Sequence, residues 1–403
     1  MCKFHRHHFE AWDSRFASNA CGEKFINSSP FTNEAYEINR RMVFVFRLLG
    51  VVKEGINLFC NLMDMSSGLT VNTYYVCLDN IHLAVSSVYN VILKKAIEEK
   101  KPKNKDAGNI ENHLTVSGDG TWKQRGYSSL FGVSTLIGKY SKKVIDATVK
   151  SSFCQACNFW SIKKNGDIDE YNEWYKTHEK NCSINHKGSA GKMETNEITE
   201  MFSRSKEKND VLYVKYIGDG KTWRWQYIGD SKTFKNISTV NPYEEDNITV
   251  VKKECVGHVE KRMETSLRNA KKDNKGIGGK SAGKLTDKMI GELTKYYGLA
   301  IRRHPDSVAD MRKEIWAAYY HKSSADEKPQ HQNCPEGEES WCKWRKAKAD
   351  GTLPNFQHQN PPLSDKVLEV IKPIYEDLSS DKLLDRCLGT ETQNNNESLN
   401  AII

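Results

Sequence analysis

Residues 113–122 read His-Leu-Thr-Val-Ser-Gly-Asp-Gly-Thr-Trp, and this stretch decides which fold we expect. Apolar and polar side chains alternate over its first half, and a period of two residues is typical of a β-strand. Two more β-rich runs follow at residues 130–137 and 144–149, with turn residues between them. The pattern predicts three strands in meander order, and Asp119 closes the first of them.

Three other acidic residues lie in recognisable contexts. Asp219 and Asp230 end two copies of Tyr-Ile-Gly-Asp, and residues 212–217 before the first copy are predicted to form a strand. Glu397 lies in Thr-Gln-Asn-Asn-Asn-Glu-Ser-Leu-Asn, where a helix is predicted to begin. Carboxylate oxygens are the ligands that Mg²⁺ and Mn²⁺ prefer, although most acidic residues simply lie on the surface.

Helices are predicted on both sides of this strand region. Between residues 36 and 99 the apolar residues recur at steps of three and four, which is typical of amphipathic helices. Residues 1–34 lack such a pattern, and we predict a loosely ordered segment there. Later helices are predicted over residues 194–207, 285–297, 308–321 and 364–388. Thr286 is placed to cap the second of these, and Pro373 should kink or split the last.

The composition is typical of a soluble globular protein. The chain has 403 residues, enough for two or three domains, of which 38% are hydrophobic and 28% charged. A net charge of +8 favours a polyanionic partner, although 52 acidic residues are interspersed among 60 basic ones. The first residues are too polar for a secretory signal, and the apolar run at residues 42–52 is too short to span a bilayer, so an intracellular protein is expected.

Several of the eleven cysteines stand near histidines at spacings that suit metal ligands. The first group is Cys154, Cys157, His178, Cys182 and His186. A Cys-x-x-Cys pair followed roughly twenty residues later by a second pair is typical of a zinc ribbon or knuckle. The spacing leaves open which of the two histidines is the fourth ligand, and unrelated small residues with surface histidines are the alternative.

A second group and a shorter pair are weaker metal candidates. The second group is His321, His331, Cys334 and Cys342, whose spacing fits no standard zinc finger, so zinc and isolated structural residues both remain open. Cys255 and His258 form Cys-Val-Gly-His, which offers only two ligands. A packed cysteine beside a hydrogen-bonded histidine is the alternative for that pair.

Two basic stretches are candidates for contacts with nucleic acid phosphates. The first includes Lys261, Arg262, Arg268, Lys271 and Lys272, and the second includes Arg302, Arg303, Lys343, Arg345, Lys346 and Lys348. Lysine and arginine contacts to phosphates give salt-dependent binding that is largely independent of sequence. The alternative is a solvated loop and a solvated helix face.

Four long motifs, in this order along the chain, resemble the Mutator-like transposase domain of animal DNA transposons. They are Ser117-Gly-Asp-Gly-Thr-Trp-Lys-Gln-Arg-Gly126, Tyr216-Ile-Gly-Asp-Gly220, Glu254-Cys-Val-Gly-His-Val-Glu-Lys-Arg-Met263 and Thr392-Gln-Asn-Asn-Asn-Glu-Ser-Leu-Asn400. The similarity extends from about residue 36 to residue 403. It implies an α/β fold with a ribonuclease-H-like core, in which a mixed sheet is flanked by helices.

The resemblance also implies an Asp-Asp-Glu metal site. Asp119 matches the first acid, Asp219 the second and Glu397 the third, and Asp230 competes with Asp219. Cys255 and His258 match a Cys-x-x-His signature that follows the second acid and are implied to support the site. The cofactors implied are two Mg²⁺ or Mn²⁺ ions, beside the Zn²⁺ suggested by the Cys/His groups.

The resemblance and the predicted elements together divide the chain. We expect residues 1–34 as the loose segment, 35–108 as an N-terminal helical module, 109–262 as the core with a zinc-knuckle insertion at 154–186, 263–390 as an inserted helical domain carrying the second Cys/His group, and 391–403 as the start of the final catalytic helix.

The function implied is that of a transposase that cleaves DNA at transposon ends and transfers strands into target DNA. Such a protein would act in the nucleus, as a homo-oligomer and without a membrane partner. The family motif usually runs Tyr-Ile-Gly-Asp-Gly-Asp-Ser-Lys, but residues 221–229 interrupt it here, and the sequence stops soon after Glu397. We therefore expect impaired activity, and the alternative is a domesticated or decayed transposase that binds DNA and zinc without catalysis.

Overall fold

The computed structural model describes residues 4–9, 13–18, 22–25, 29–65, 68–122, 129–164, 168–218, 221–222, 228–229, 231–337 and 340–403. The chain divides into two compact units, Met1–Lys95 and Ala96–Ile403. The candidate catalytic and metal-binding residues all belong to the second unit.

The first unit contains short strands followed by helices. Its elements are β1 (Phe4–Phe9), β2 (Asp13–Ser18), β3 (Gly22–Phe25), β4 (Phe31–Thr32), β5 (Ala35–Tyr36), α1 (Glu37–Leu48), α2 (Lys53–Leu62) and α3 (Val71–Asp106), which continues past the unit boundary. Strands β1–β3 form an antiparallel sheet, which differs from the loosely ordered segment predicted for residues 1–34. Strands this short are stabilised by cross-strand pairs, and no periodic apolar pattern in the sequence predicts them.

Helix α3 has 36 residues and extends beyond residue 99, where the predicted helical pattern ends. Within the described ranges it is the one helix whose length and apolar composition would let it cross a bilayer, a property that core helices of globular proteins share. Its apolar residues Leu83, Val88 and Ile92 are exposed. It also runs through Pro102 without ending.

A mixed five-stranded sheet is the centre of the second unit. Its strands are β6 (His113–Trp122), β7 (Phe131–Gly138), β8 (Val144–Ser151), β9 (Leu212–Ile217) and β12 (Val251–Lys253), and a separate antiparallel pair is formed by β10 (Lys221–Thr222) and β11 (Ile228–Gly229). The order across the large sheet is β12-β9-β6-β7-β8. The predicted meander β6-β7-β8 is confirmed as antiparallel, whereas β9 and β12 run parallel to β6.

Helices cover the two faces of this sheet. The remaining helices are α4 (Gln155–Lys164), α5 (Ile168–His178), α6 (Ala190–Asn209), α7 (Lys232–Val240), α8 (Val256–Asp273), α9 (Asp287–Arg303), α10 (Val308–Lys322), α11 (Lys343–Ala349), α12 (Asp365–Leu378), α13 (Asp381–Cys387) and α14 (Asn394–Asn400). Gly118 faces Ile198 of α6, whereas the adjacent Ser117 bonds Asn396 of α14. Because successive side chains of a strand point to opposite faces, α6 and α14 lie on opposite sides of the sheet.

Helices α8–α10, α12 and α13 share a core of their own. Its fully buried members include Leu267, Ile301, Ile315 and Ile371. Thr286 accepts a hydrogen bond from the Met289 amide, so the predicted helix cap is confirmed. These helices lie in sequence between β12 and α14, where a helical insertion was predicted.

Pro373 does not divide the helix in which it lies. Helix α12 continues through Pro373, and the break comes later, at Ser379 and Ser380. As a whole, the observed α/β architecture, with a mixed sheet flanked by helices, is compatible with the ribonuclease-H-like fold.

Candidate functional site

Asp119 lies near the carboxyl end of β6, at the edge where the parallel strand β9 also ends. Ser117 pairs with Ile217, the last residue of β9, and β6 continues to Trp122, so Asp119 does not close its strand as predicted. The Asp119 Oδ1 atom accepts a hydrogen bond from the Gly120 amide at 2.9 Å. Its other oxygen, Oδ2, accepts one from Asn400 Nδ2 at 2.8 Å.

Three amide side chains fasten α14 against this edge of the sheet. Gln393 Nε2 donates to the carbonyl oxygens of Gly118 at 2.9 Å and Ile217 at 3.4 Å. Asn396 is fully buried, donates to the Ser117 carbonyl at 3.3 Å and accepts from the Ser117 hydroxyl. With Asn400 on Asp119, these contacts hold one face of the short helix against β6.

Glu397 projects from the same helix towards α8. Its Oε1 lies 2.8 Å from His258 Nε2 and 3.8 Å from Lys261 Nζ. His258 Nδ1 lies 3.2 Å from Gln393 Oε1, so the imidazole is held from both sides. The motif around Cys255 and the motif around Glu397 therefore meet in the structure.

Asp119, Asn400 and Glu397 line one cavity of about 750 Å³. The Asn400 Oδ1 atom is buried and has no hydrogen-bond partner among the described residues. Two carboxylates and an unsatisfied amide oxygen form the kind of hard donor set that Mg²⁺ or Mn²⁺ takes. The residues present thus fit a divalent cation.

Cys255 is buried immediately before α8, and its amide neighbour Val256 bonds the Glu391 carbonyl at 2.9 Å. Burial raises the pKa of the Cys255 thiol, but hydrogen bonding and charge from His258, with backbone hydrogen bonds from His258 and Gln393, outweigh it. The net pKa lies below the ordinary cysteine value. Within the described part of the chain, Cys255 and His258 join no larger Cys/His group.

The predicted second acid falls outside the described residues. Asp219 and Asp230 both lie in undescribed positions, and the competition between them stays a prediction. The strand register relates the positions of Asp119 and Asp219. Ser117 and Ile217 are paired across the sheet, and each aspartate follows its paired residue by two positions.

The first Cys/His group comes together without His186. Ligand atoms of Cys154, Cys157, His178 and Cys182 all lie within 4.8 Å of one another. Cys154 Sγ is 3.3 Å from His178 Nε2, and Cys157 Sγ is 3.4 Å from Cys182 Sγ. His186 lies elsewhere, with Nε2 3.3 Å from the Ser189 carbonyl.

The thiol of Cys154 is prepared to ionise. Burial raises its pKa, but hydrogen bonds from the Cys157 and Ser183 amides and from the His178 and Cys157 side chains lower it to about 6. Thiolates are the zinc-binding form of cysteine. The set therefore matches the donor chemistry of a structural zinc site.

The second group, His321, His331, Cys334 and Cys342, also comes together within 4.8 Å. Cys342 Sγ lies 3.5 Å from His331 Nδ1 and 3.6 Å from His321 Nδ1. Hydrogen bonding from Cys334 lowers the pKa of Cys342 strongly, with further contributions from both histidines. Both Cys/His groups thus offer ligand sets that could bind zinc.

A known family matches most of the chain. The family model described as Mutator-like transposase matches residues 15–342, more than half of the chain. The chain belongs to the Mutator-like transposase family. No curated protein and no solved structure matches it. The family match ends before Glu397, so the case for that residue comes from its position beside Asp119 in the structure.

Membership of a transposase family implies DNA as a partner, and α8 carries basic residues beside Glu397. Lys261, Arg268 and Lys272 are exposed on this helix, and Lys271 pairs with Asp287 at 3.0 Å. Arg268 also bonds Glu264 and Asp287.

The prediction of a DNA contact from Arg262 does not agree with the structure. Arg262 is buried and bonds Glu254 Oε2 at 2.6 Å. Lys252 Nζ approaches the same carboxylate at 2.8 Å. A buried carboxylate needs a charged partner, and Arg262 meets that need on the inner face of α8. Arg345 of the second basic stretch is likewise buried, and bonds backbone carbonyls.

Several residues at these sites were missed by the sequence reasoning. Gln393, Asn396 and Asn400 recur at steps of three and four, a helical spacing that would have indicated one polar face. His358 lies beside the second Cys/His group, and no spacing rule connects it to that group.

Proposed function

We propose that this member of the Mutator-like transposase family cleaves DNA at transposon ends and transfers the cut strand by two-metal-ion chemistry. The supporting observation is that Asp119 and Glu397, far apart in sequence, line one cavity at the carboxyl edge of the sheet. Asp119 and Glu397 would hold divalent cations at this edge, and those cations would supply the chemistry of phosphodiester cleavage.

In this proposal Asp119, Asp219 and Glu397 are the three carboxylate ligands. When bound, two Mg²⁺ or Mn²⁺ ions supply activation of the attacking hydroxyl and stabilisation of the leaving oxygen. Asn400 orients Asp119, and His258 orients Glu397. Asp219 is preferred over Asp230 because β9 ends just before it, at Ile217, which pairs with Ser117 two residues before Asp119.

Zinc at the two Cys/His groups is part of the proposal, with His178 as the fourth ligand of the first group. Neither group lies among the residues around the cavity, so these ions would be structural rather than catalytic. The protein would work in the nucleus on transposon ends and target DNA, in a homo-oligomer that brings two ends together.

The test is a strand-nicking assay with DNA that carries the transposon's own terminal repeats and Mn²⁺. The wild-type chain is expected to nick the DNA, and Asp119→Ala and Glu397→Ala are expected to lose nicking while they still bind DNA. Asp381→Ala, at an exposed acid on α13, is the matched control. Asp219→Ala and Asp230→Ala, assayed separately, identify the second acid.

Two results would contradict the proposal. Equal nicking by wild type and Asp119→Ala would remove Asp119 from the chemistry. DNA binding by the wild type without any nicking would instead select the domesticated or decayed transposase, in which the interruption at residues 221–229 has abolished catalysis.

A further inference from the structure

The second Cys/His group has the dimensions of a tetrahedral metal site. Zn–N bonds near 2.0–2.1 Å and Zn–S bonds near 2.3 Å place tetrahedral ligand atoms about 3.3–3.8 Å apart. The two Nδ1 atoms of His321 and His331 lie 3.2 Å apart. The four sulfur-to-Nδ1 distances, from Cys334 and Cys342, run from 3.5 to 3.9 Å.

The other nitrogen of the His331 ring faces a histidine outside the group, His358. His331 Nε2 lies 2.9 Å from His358 Nε2, and the two ring planes are within 14° of parallel. The buried hydroxyl of Ser324 lies between them, 2.9 Å from His331 Nε2 and 3.0 Å from His358 Nε2. That hydroxyl also accepts a hydrogen bond from the Gln330 amide.

A carboxylate ends this row of hydrogen-bonded side chains, which consists of His331, Ser324, His358 and Asp326. His358 Nδ1 lies 2.5 Å from Asp326 Oδ1, and the His358 backbone amide donates to the same oxygen at 2.9 Å. This hydrogen bonding lowers the pKa of Asp326, so Asp326 is the ionised, accepting end of the row.

One arrangement of protons satisfies every contact in this row once a metal occupies the group. A metal at His331 Nδ1 requires that atom's lone pair, so the ring proton resides on Nε2. That proton needs an acceptor, which is His358 Nε2, directly or through the Ser324 hydroxyl. The proton of His358 then resides on Nδ1, where Asp326 accepts it.

We infer that Asp326 and His358 are outer positioning residues of a zinc site whose ligands are His321, His331, Cys334 and Cys342. This inference rests on the proposed zinc at the second group. It adds the residues that determine which nitrogen of His331 binds the metal. Outer partners of this kind orient a ligating imidazole and strengthen its bond to the metal. His358 itself is no ligand, because its Nε2 meets the ring edge remote from Nδ1.

The row also explains how the metal would organise two irregular segments. The stretch between α10 and α11 carries three of the ligands, and His358 lies in the stretch between α11 and α12. The buried Arg345 of α11 donates to the His331 and Gln332 carbonyls at 2.9 and 2.5 Å. Through His358, the second stretch is connected to the same metal without contributing a ligand.

The test measures zinc content and zinc affinity of the full chain by titration with a competing chromophoric chelator. Wild type is expected to hold two zinc ions, and Cys342→Ser is expected to hold one, which identifies the second site. His358→Phe and Asp326→Asn should bind that zinc about 10–100-fold more weakly and leave the other zinc unchanged. Asp326 is 57% exposed, so its substitution is compatible with folding.

His358→Gln separates hydrogen bonding from packing. Its amide oxygen can still accept the His331 Nε2 proton, so most of the lost affinity should return. His82→Phe, at an exposed histidine of α3, is the matched control and should leave both zinc affinities unchanged.

The outcomes distinguish the inference from the proposal beneath it. Two zinc ions retained in Cys342→Ser would show that the second group holds none, and the proposed site would fail. One zinc ion lost in Cys342→Ser, with wild-type affinity in both His358→Phe and Asp326→Asn, would overturn only the positioning role. His358→Gln as weak as His358→Phe would also overturn it, because restoring the hydrogen-bond acceptor would then have no effect.

Discussion

Gln393 is a single buried side chain that connects three parts of the candidate catalytic site. Its amide nitrogen reaches Gly118 beside Asp119 and Ile217 at the end of β9, and its oxygen faces His258. Because the nitrogen meets only carbonyl acceptors, the oxygen must face the imidazole and accept from it. One residue therefore positions the backbone at Gly118 and at Ile217. The same residue also holds the imidazole of His258, which contacts Glu397.

We predict that Gln393→Leu loses most nicking activity while it retains DNA affinity. Two strand-end carbonyls would lose a buried donor, and a small displacement of the carboxylates would lower the rate on the order of 10²-fold. The rate constant under saturating DNA and Mn²⁺ is the measurement. Asn395→Ala, on the exposed face of the same motif, should react like wild type; equal rates in both variants would contradict the assignment.

Lys100 is a second informative residue, because it is a buried amine with no hydrogen-bond partner among the described residues. Its ammonium position lies 5.1 Å from the centre of the Tyr140 ring. Burial, reinforced by the charge of Lys139 and opposed by Glu391, lowers the pKa of Lys100 to about 7. The folded state therefore binds this proton more weakly than the unfolded state does.

The sign of the pH dependence follows from that shift. Between the folded pKa of about 7 and the ordinary value of 10.5, the unfolded chain holds more protons, so the free energy of unfolding rises with pH across this window. Lys100→Met should be more stable than wild type at pH 7, on the order of a few kcal/mol, and the gain should shrink towards pH 10. Urea unfolding at several pH values measures it, and a pH-independent difference would contradict it.

The matched control for this prediction lies on the same helix. Lys103 is exposed on α3, so Lys103→Met removes an equal charge from a solvated site. Its free energy of unfolding should stay close to that of wild type at every pH.

At the scale of elements, the described side chains of α4 and α5 form almost no core of their own. Helix α5 has no buried residue, and Phe159 of α4 is exposed. The rings of Trp160 and Trp174 stack at 4.8 Å, and Trp174 stacks on His178 at 4.5 Å. We expect a segment with so little buried surface to depend on zinc for its folding, as small zinc modules do.

We predict that zinc chelation or Cys182→Ser unfolds α4 and α5 locally. Amide hydrogen exchange over residues 155–178 should accelerate on the order of 10²-fold or more, whereas α9 and α12, which share a buried core, should stay protected. Cys60→Ser, at a buried cysteine in the first unit, is the same substitution away from either group. Unchanged exchange in zinc-free protein would contradict the prediction.

The helical cap at Thr286, strand β9 and the Cys-x-x-Cys spacing illustrate what local sequence predicts well. Each depends on side chains within a few residues of one another. The break at Ser379 rather than Pro373 shows the limit, because packing against the helical core holds α12 through its proline. The sheet in residues 1–34 was missed for the same reason, since strand pairing is non-local.

At the scale of the whole second unit, the basic surface of α8 begins beside the acidic cavity. Lys261 lies 3.8 Å from Glu397, and Arg268 and Lys272 follow on the exposed side of the helix. When one phosphate of a DNA strand binds in the cavity, the adjacent phosphates of that strand would lie along α8.

We predict that Lys261, Arg268 and Lys272 together contribute to DNA affinity through phosphate contacts. Replacing all three by alanine should reduce the slope of log affinity against log salt by about 2–3, since each phosphate contact contributes roughly 0.9. Fluorescence anisotropy at several salt concentrations measures the slope. Replacing Lys313, Lys372 and Lys382 removes the same charge from exposed positions elsewhere; an equal loss of slope there would show that net charge alone matters.

The sequence by itself determined several local elements, the family motifs and the candidate members of the two Cys/His groups, because each is written in residue types at short, regular spacings. Only the tertiary structure decided that Asp119 and Glu397 share a cavity, that His178 rather than His186 joins the thiols, and that Arg262 faces inward. It also supplied the contacts of Gln393 and the place of His358 beside the second Cys/His group. The physical reason is that these contacts join residues far apart in sequence, and only the packing of sheet and helices sets the distance between them.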